Sequence, residues 1–488
     1  MEGLVLAMTD DAPLLRVAAQ VSAVALLSIA LYRLFLAPLA RLPGSALSAL
    51  TRLPLLFVEF TGRRSAWIHA LHVKYGPVVR VAPDEVSFAT REAAKEIYTS
   101  GGSGYDKTSF YRLFEHFDTP NIFSTLDRGT HADVKKRFAE RYNKTHIMRP
   151  EVSAVVQEHV DAFLARCAES AGRSVDVYLL LHCFSLDGIT GHMFHPNGLH
   201  SLTNPRDFAM MEELTYPTLI KEQYFRYYFP SLARFLGKTI GFGNLRTDGL
   251  SSVRYVLDTV RSAPVSPHTL LDKLRLYESK DADLTLAASE CMDHLVAGLD
   301  TTGDALCFLM HHLSLPASQP LQDRLRAELH SNPAAALDDL PYLDALVKEG
   351  LRVFCPVPMA LPRLVPAGGS TVDGVALPGG TIVSCQPYTL HRLDTRVFPD
   401  ADAFVPARWL EPEGAAERNG LFFAFAAGGR GCIGKNFALF EMKLLLRDVY
   451  SAYRTRVAPD MTASMEMDDQ VVSARPKGQK CLLVFEKL

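Results

Sequence analysis

A single cysteine, Cys432, stands in the run Phe425-Ala426-Ala427-Gly428-Gly429-Arg430-Gly431-Cys432-Ile433-Gly434, directly ahead of a helical pattern through Asn436–Tyr450. Nothing else in the chain limits its fold as tightly. A helix amino terminus and free backbone N–H groups stabilise a thiolate. Glycines let a flat macrocycle approach the backbone, and Arg430 can pair with an anionic ring substituent. Only a large planar cofactor uses all three; the alternative is a glycine turn that happens to contain a cysteine. The other cysteines, at 167, 183, 291, 307, 355, 385 and 481, form no CxxC pair and no metal spacing, and read as small buried hydrophobes in a reducing compartment.

The cysteine run resembles the heme signature Phe-x-x-Gly-x-Arg-x-Cys-x-Gly of the cytochrome P-450 family at every fixed position, from Phe425 through Gly434. By that resemblance Cys432 is the axial ligand of a heme b iron, and its electron donation favours O–O cleavage. Phe425 packs beside the thiolate and Arg430 holds a heme propionate. Further motifs follow the family's order. Glu349-Gly350-Leu351-Arg352 matches Glu-x-x-Arg, whose ends share one helix face. Phe404-Val405-Pro406-Ala407-Arg408-Trp409 resembles the segment whose arginine completes a buried triad, here Glu349, Arg352 and Arg408, that braces the cysteine loop. Ala407 departs from the family's usual acid, which the triad does not use.

The clearest long helix runs from about Asp283 to Ser314, apolar on several faces, with Ala297-Gly298-Leu299-Asp300-Thr301-Thr302 at its middle. This resembles the family's oxygen-activation motif. Gly298 would open space for dioxygen, while Asp300 and Thr301 would relay protons to it; a threonine bonding its own helix backbone is the plainer alternative. For the propionates, His131-Ala132-Asp133-Val134-Lys135 resembles a family contact with lysine in place of arginine, a point charge without the bidentate fork. Arg363, in Leu361-Pro362-Arg363, resembles a second such contact.

Val17–Leu36 is apolar apart from Gln20, Ser22, Ser28 and Arg33, and about 20 helical residues cross a bilayer core. The acidic leading flank, Glu2, Asp10 and Asp11, argues for an anchor over a secretory signal, and Arg33 and Arg41 place the body in the cytosol. Pro38–Gly44 is a proline-containing hinge. After it, Leu321–Leu329 and Tyr342–Phe354 read as amphipathic helices, Pro77–Val86 and Met359–Gln386 as strand and turn regions, and Asp394–Gly429 as mostly irregular. The 488 residues, 48% hydrophobic, are enough for two or three domains. The resemblance reduces this to residues 1–44 as anchor and hinge and 45–488 as one catalytic domain, mainly α with a minor β region.

The balance of 51 basic and 54 acidic residues gives no field to recruit nucleic acid. No Gly-x-Gly-x-x-Gly fingerprint is present for a flavin or nicotinamide. Electrons would therefore come from NADPH through a separate membrane-bound cytochrome P-450 reductase, docking on Lys135, Lys136, Arg137 and Lys435 unless these form a merely solvated face. The implied reaction is insertion of one atom of O2 into a hydrophobic small molecule by hydroxylation, epoxidation or multistep oxidation, in the secondary metabolism of a fungus. Single-pass anchoring in the endoplasmic reticulum membrane follows from the same resemblance. A redox-neutral heme-thiolate isomerase or dehydratase is the second reading, which the Asp300–Thr301 pair opposes, and a non-catalytic heme sensor the third. By family position Gly101–Ser124, Pro205–Gly243 and Val357–Leu361 border the substrate, with Met359 a direct contact.

Overall fold

The computed structural model describes residues 12–99, 104–170, 172–216, 220–240, 250–277, 284–470 and 472–488. The acidic flank Glu2, Asp10 and Asp11, the start of the long helix at Asp283 and parts of two pocket segments, 101–103 and 217–219 with 241–243, lie outside the described residues.

The central helix spans Thr285–Leu313. It contains no proline, is buried along most of its length and ends at Ser314, whose hydroxyl donates to Met310 O at 2.6 Å and bonds Thr455 Oγ1 at 2.7 Å. Its closest neighbour is the helix Val177–Phe194, which is buried almost throughout. Glycines set that closeness. A Cβ at Gly303 would meet the His182 ring at 3.2 Å, and one at Gly298 would sit 2.7 Å from Ile189 Cγ1. The main core surrounds these two helices and takes in Pro150–Glu169, Pro341–Val353 and Lys435–Ala452.

A five-stranded sheet lies to one side, in the order Val78–Ala82, Glu85–Phe88, Ile382–Cys385, Arg363–Leu364, Asp106–Lys107. Glu85–Phe88 runs parallel to Ile382–Cys385, and the other pairs are antiparallel. The last pair sets Lys107 opposite Arg363. A second core under this sheet includes Val86, Phe88, Val383 and Phe398, and Leu39 of the proline hinge is buried in it.

Two features go beyond the sequence reading. The tail forms strands, Tyr453–Val457 and Leu482–Lys487 with Ser174–Asp176, and a hairpin of Met467–Asp469 with Ala474–Pro476. Within the stretch expected to be irregular, Ala415–Leu421 is helical, entered through Gly414 in the left-handed region. The amino-terminal helix Ala12–Leu31 continues as a π-turn over Tyr32–Leu36, and Leu15–Leu36 is apolar, 22 residues long and uncovered by the body.

Candidate functional site

The cysteine loop is built by backbone constraint. Cys432 N–H donates to Phe425 O at 2.9 Å and Gly431 N–H to Gly428 O at 3.0 Å. Gly428 has φ +69°, and a Cβ there would lie 1.9 Å from Tyr98 O, so no other residue fits. Gly434 caps the helix Lys435–Ala452. The Cys432 thiol has open surface, yet enough protein surrounds it that burial raises its pKa. The surface it exposes is therefore an interior one. The N–H groups of Gly434 and Lys435 and the charges of Lys135 and Lys435 act against that rise and favour the thiolate.

Behind the loop, Glu349 and Arg352 are fully buried. Arg352 Nε donates to Glu349 Oε2 at 2.9 Å and Nη2 to Oε1 at 2.8 Å, a bidentate pair. Arg408 Nε joins at 3.1 Å, Val405 N–H at 2.8 Å and Trp409 Nε1 at 2.8 Å, so the carboxylate is saturated. Arg352 Nη1 and Nη2 go on to the carbonyls of His391, Ala401 and Ala403. His391, a residue that no sequence motif marked, carries the connection onward. Its Nε2 accepts the Phe423 N–H at 2.8 Å, which leaves the proton on Nδ1 to be donated to Arg352 O at 3.1 Å. Phe423 lies two residues before Phe425, so a continuous hydrogen-bond path joins Glu349 to the cysteine loop.

A cluster of cations gathers on the other side of the loop. Arg430 donates from Nη2 to Asp106 Oδ1 at 3.2 Å and Leu126 O at 2.9 Å, while its Nη1 is buried without a partner. Arg363 Nη1 donates to Tyr111 Oη at 2.7 Å, and its guanidinium lies over the Tyr98 and Tyr111 rings. Lys107, another residue missed in the sequence, is buried and donates to Ile122 O at 3.2 Å and Phe123 O at 2.6 Å. Burial holds the Lys107 ammonium well below the usual lysine pKa, with Arg363, Arg430 and Lys135 adding to the drop and Asp293 opposing it. His131 is lowered to about 3, first by burial and then by Lys107, Arg430, Lys135 and Arg363. Buried cations in such excess over carboxylates are costly without an anion among them. Lys135 Nζ donates to Gly429 O at 2.9 Å and Gly431 O at 3.1 Å, so it ties down the cysteine loop.

The middle of the central helix also has open interior surface. Val296 and Ala297 are exposed between buried turns. The hydroxyl of Thr301 donates to Ala297 O at 2.7 Å, the helix-backbone bond weighed as the alternative, which leaves its lone pairs to accept. Asp300 is raised to about 7 by burial, opposed by Arg475 from the carboxy-terminal hairpin. The place of a Gly298 Cβ is filled by Ile189, so the helix crossing, not room for dioxygen, requires glycine there. Phe110, Tyr111, Tyr224 and Met359 form a buried aromatic cluster flanked by Phe114, Phe123 and, from the hairpin turn, Val472. Phe110 meets Phe114 at 5.8 Å and Tyr224 at 5.9 Å, both edge to face.

The cytochrome P450 family model matches residues 43–483 of this chain. The chain belongs to the cytochrome P450 family. Its relatives include cytochrome P450 monooxygenase orf2 of Aspergillus niger, 30% identical over 94% of this chain and 95% of the relative, and cytochrome P450 monooxygenase tazI of Aspergillus terreus, 30% identical over 93% and 95%. Cytochrome P450 monooxygenase AMT3 of Alternaria alternata is 28% identical over 93% of this chain and 94% of its own length. This P450 is accordingly a heme-dependent oxidoreductase that incorporates molecular oxygen. The residues present suit the cofactor: an inward-facing thiol at a helix amino terminus, and a buried cation cluster in which Arg430 Nη1 has no partner.

Proposed function

We propose that this P450 is tethered to the endoplasmic reticulum membrane by its single amino-terminal span, residues 1–44 serving as anchor and hinge and 45–488 as one catalytic domain. It inserts one oxygen atom into an apolar small molecule of fungal secondary metabolism, by hydroxylation, epoxidation or successive oxidations. The observation that carries the reading is the pairing of an inward-facing Cys432 thiol with an acid and an alcohol on the central helix, Asp300 largely enclosed and Thr301 beside the open turn at Val296 and Ala297. Cys432 is the iron ligand. Arg430, Arg363 and Lys107 hold the propionates, with neutral His131 beside them, and Phe425 shields the thiolate. Heme, when bound, supplies the redox-active iron at which dioxygen is activated.

The balance of the reaction assigns the remaining roles. One oxygen atom enters the substrate and the other leaves as water, which consumes two electrons and two protons. A carboxyl near pKa 7 exchanges protons readily at neutral pH, so Asp300 takes protons from solvent and delivers them. Thr301 Oγ1, already donating to Ala297 O, accepts a hydrogen bond from water and orients it. The aromatic cluster around Phe110 and Met359 excludes water and selects an apolar ligand. Electrons come from NADPH through a separate membrane-bound reductase.

Membranes carrying the chain, NADPH and reductase test this directly with candidate terpenoid, polyketide and alkaloid intermediates. Substrate-dependent NADPH consumption with an oxygenated product is expected. A product isomeric with its substrate, formed without NADPH, would favour the redox-neutral isomerase.

A further inference from the structure

Where the amino-terminal helix meets the body, a cleft of about 530 Å³ is walled by Tyr32, Arg33, Arg52, Arg80, Asp84 and Gly380 among others. That volume is typical of a small-ligand site, and its lining is lopsided in charge. Arg52 is committed to Asp84 and Glu85, at 2.6 Å each. Arg33 and Arg80 have no ion-pair partner among the described residues. Arg33 Nη1 donates to Leu50 O at 2.6 Å; Arg80 donates to Arg33 O at 3.0 Å and Pro83 O at 2.8 Å. Arg80 is only 2% exposed, and its Nε has no partner. Burial lowers its pKa and the nearby Arg33 lowers it further, so the two cations repel with only Asp84 in opposition.

Position supplies the second half of the argument. Arg33 belongs to the apolar segment Leu15–Leu36, so the cleft opens where the chain leaves the bilayer, at the depth of lipid headgroups. This rests on the reading of that segment as an anchor. The carboxy-terminal end of a helix presents about half a negative charge, which would repel an anion. Two unpaired guanidinium groups exceed it, and Arg80 already neutralises one of the terminal carbonyls. Carbonyls alone leave a buried guanidinium with its charge uncompensated.

We propose that this cleft binds the phosphate of an anionic membrane lipid, held by Arg33 and Arg80. The heme-loaded full-length chain, placed in nanodiscs of phosphatidylcholine with a minor fraction of phosphatidic acid and then extracted into detergent, should retain phosphatidic acid in preference to phosphatidylcholine by mass spectrometry. Arg33→Gln and Arg80→Gln should each weaken retention roughly tenfold, as expected for loss of a charge-assisted bond. Asp84→Asn should strengthen it by removing the carboxylate in the lining. Since Arg80→Gln can disturb the fold, Arg33→Gln and Asp84→Asn at unchanged heme content carry the test. Retention without preference for the anionic lipid, or retention unchanged in both of those variants, would overturn the proposal. Displacement of the lipid by inorganic phosphate at comparable concentration would overturn the lipid as the source of the phosphate. A chain that fails to enter the nanodisc at all refutes the anchor reading, whereas one that enters and shows no preference refutes this site alone.

Discussion

His391 makes two hydrogen bonds that coexist only in its neutral form, Nε2 accepting from Phe423 N–H and Nδ1 donating to Arg352 O. Burial, with Arg392 and Arg352 nearby, lowers its pKa to about 3, so the neutral form persists at any working pH. His391→Phe removes both bonds while keeping the ring, which stacks on Phe422. A buried N–H left unpaired costs about 1–3 kcal/mol. The expected result is a lower heme content and an earlier thermal midpoint, measured by heme absorbance and calorimetry. Two other substitutions separate ligand from relay. Cys432→Ala should abolish the thiolate band of the ferrous–carbon monoxide complex. Thr301→Ala should keep that band and release reduced oxygen as peroxide, detected by a peroxide assay in the presence of NADPH and reductase. Heme loss from Thr301→Ala would show that this hydroxyl, through its bond to Ala297 O, serves the helix and not proton delivery.

The packing of the central helix against Val177–Phe194 rests on Gly298, Gly303, Ile189 and His182. Gly298→Ala drives a methyl to 2.7 Å from Ile189 Cγ1, and overpacking of this kind costs about 1–3 kcal/mol. Ile189→Ala opens room for that methyl, so the double variant should melt at a higher temperature than the sum of the two single losses predicts. Strict additivity in thermal unfolding would mean that the two positions do not press on one another. The central helix was legible in the sequence because its apolar residues recur on several faces over a long stretch that no proline interrupts. Glu349, Arg352 and Cys432 were legible for another reason: each lies in a short contiguous motif. Lys107 and His391 were not. Lys107 meets Arg363 through strands two residues long, too short to show any alternation. The hydrogen bonds of His391 span 32 and 39 positions, which no local pattern records. The direction of Gly298 was illegible too, since a glycine in a helix does not say which neighbour needs the space.

Titration of the molecule as a whole follows from its buried groups. Burial raises Asp187, Asp293 and Asp300 to about 7 and Glu290 to about 8. In the unfolded chain these groups titrate near 4, so between pH 6.5 and 8 the native state binds more protons and stability falls as pH rises. The buried histidines, lowered to about 3 or 4, have the opposite slope, which fades as pH rises through their unfolded value of about 6.5 and the unfolded chain gives up their protons. Lys107, held by burial below the usual lysine range, opposes the carboxyls as one group against four. The thermal midpoint of the holoprotein should therefore drop from pH 6.5 to 8.5. The boundary between anchor and body yields a further prediction. Although Pro38–Gly44 reads as a hinge, Leu39 is 5% exposed, Pro43 O accepts the Arg80 N–H at 2.7 Å and Arg33 O accepts Arg80 Nη1. A chain cut to residues 32–488 keeps these contacts; one cut to 45–488 loses a buried leucine and two partners of Arg80. Loss of a buried leucine side chain costs about 2–5 kcal/mol. The 32–488 chain should thus match the full chain in thermal midpoint, and the 45–488 chain should melt earlier. Equal midpoints would make residues 32–44 a tether and nothing more.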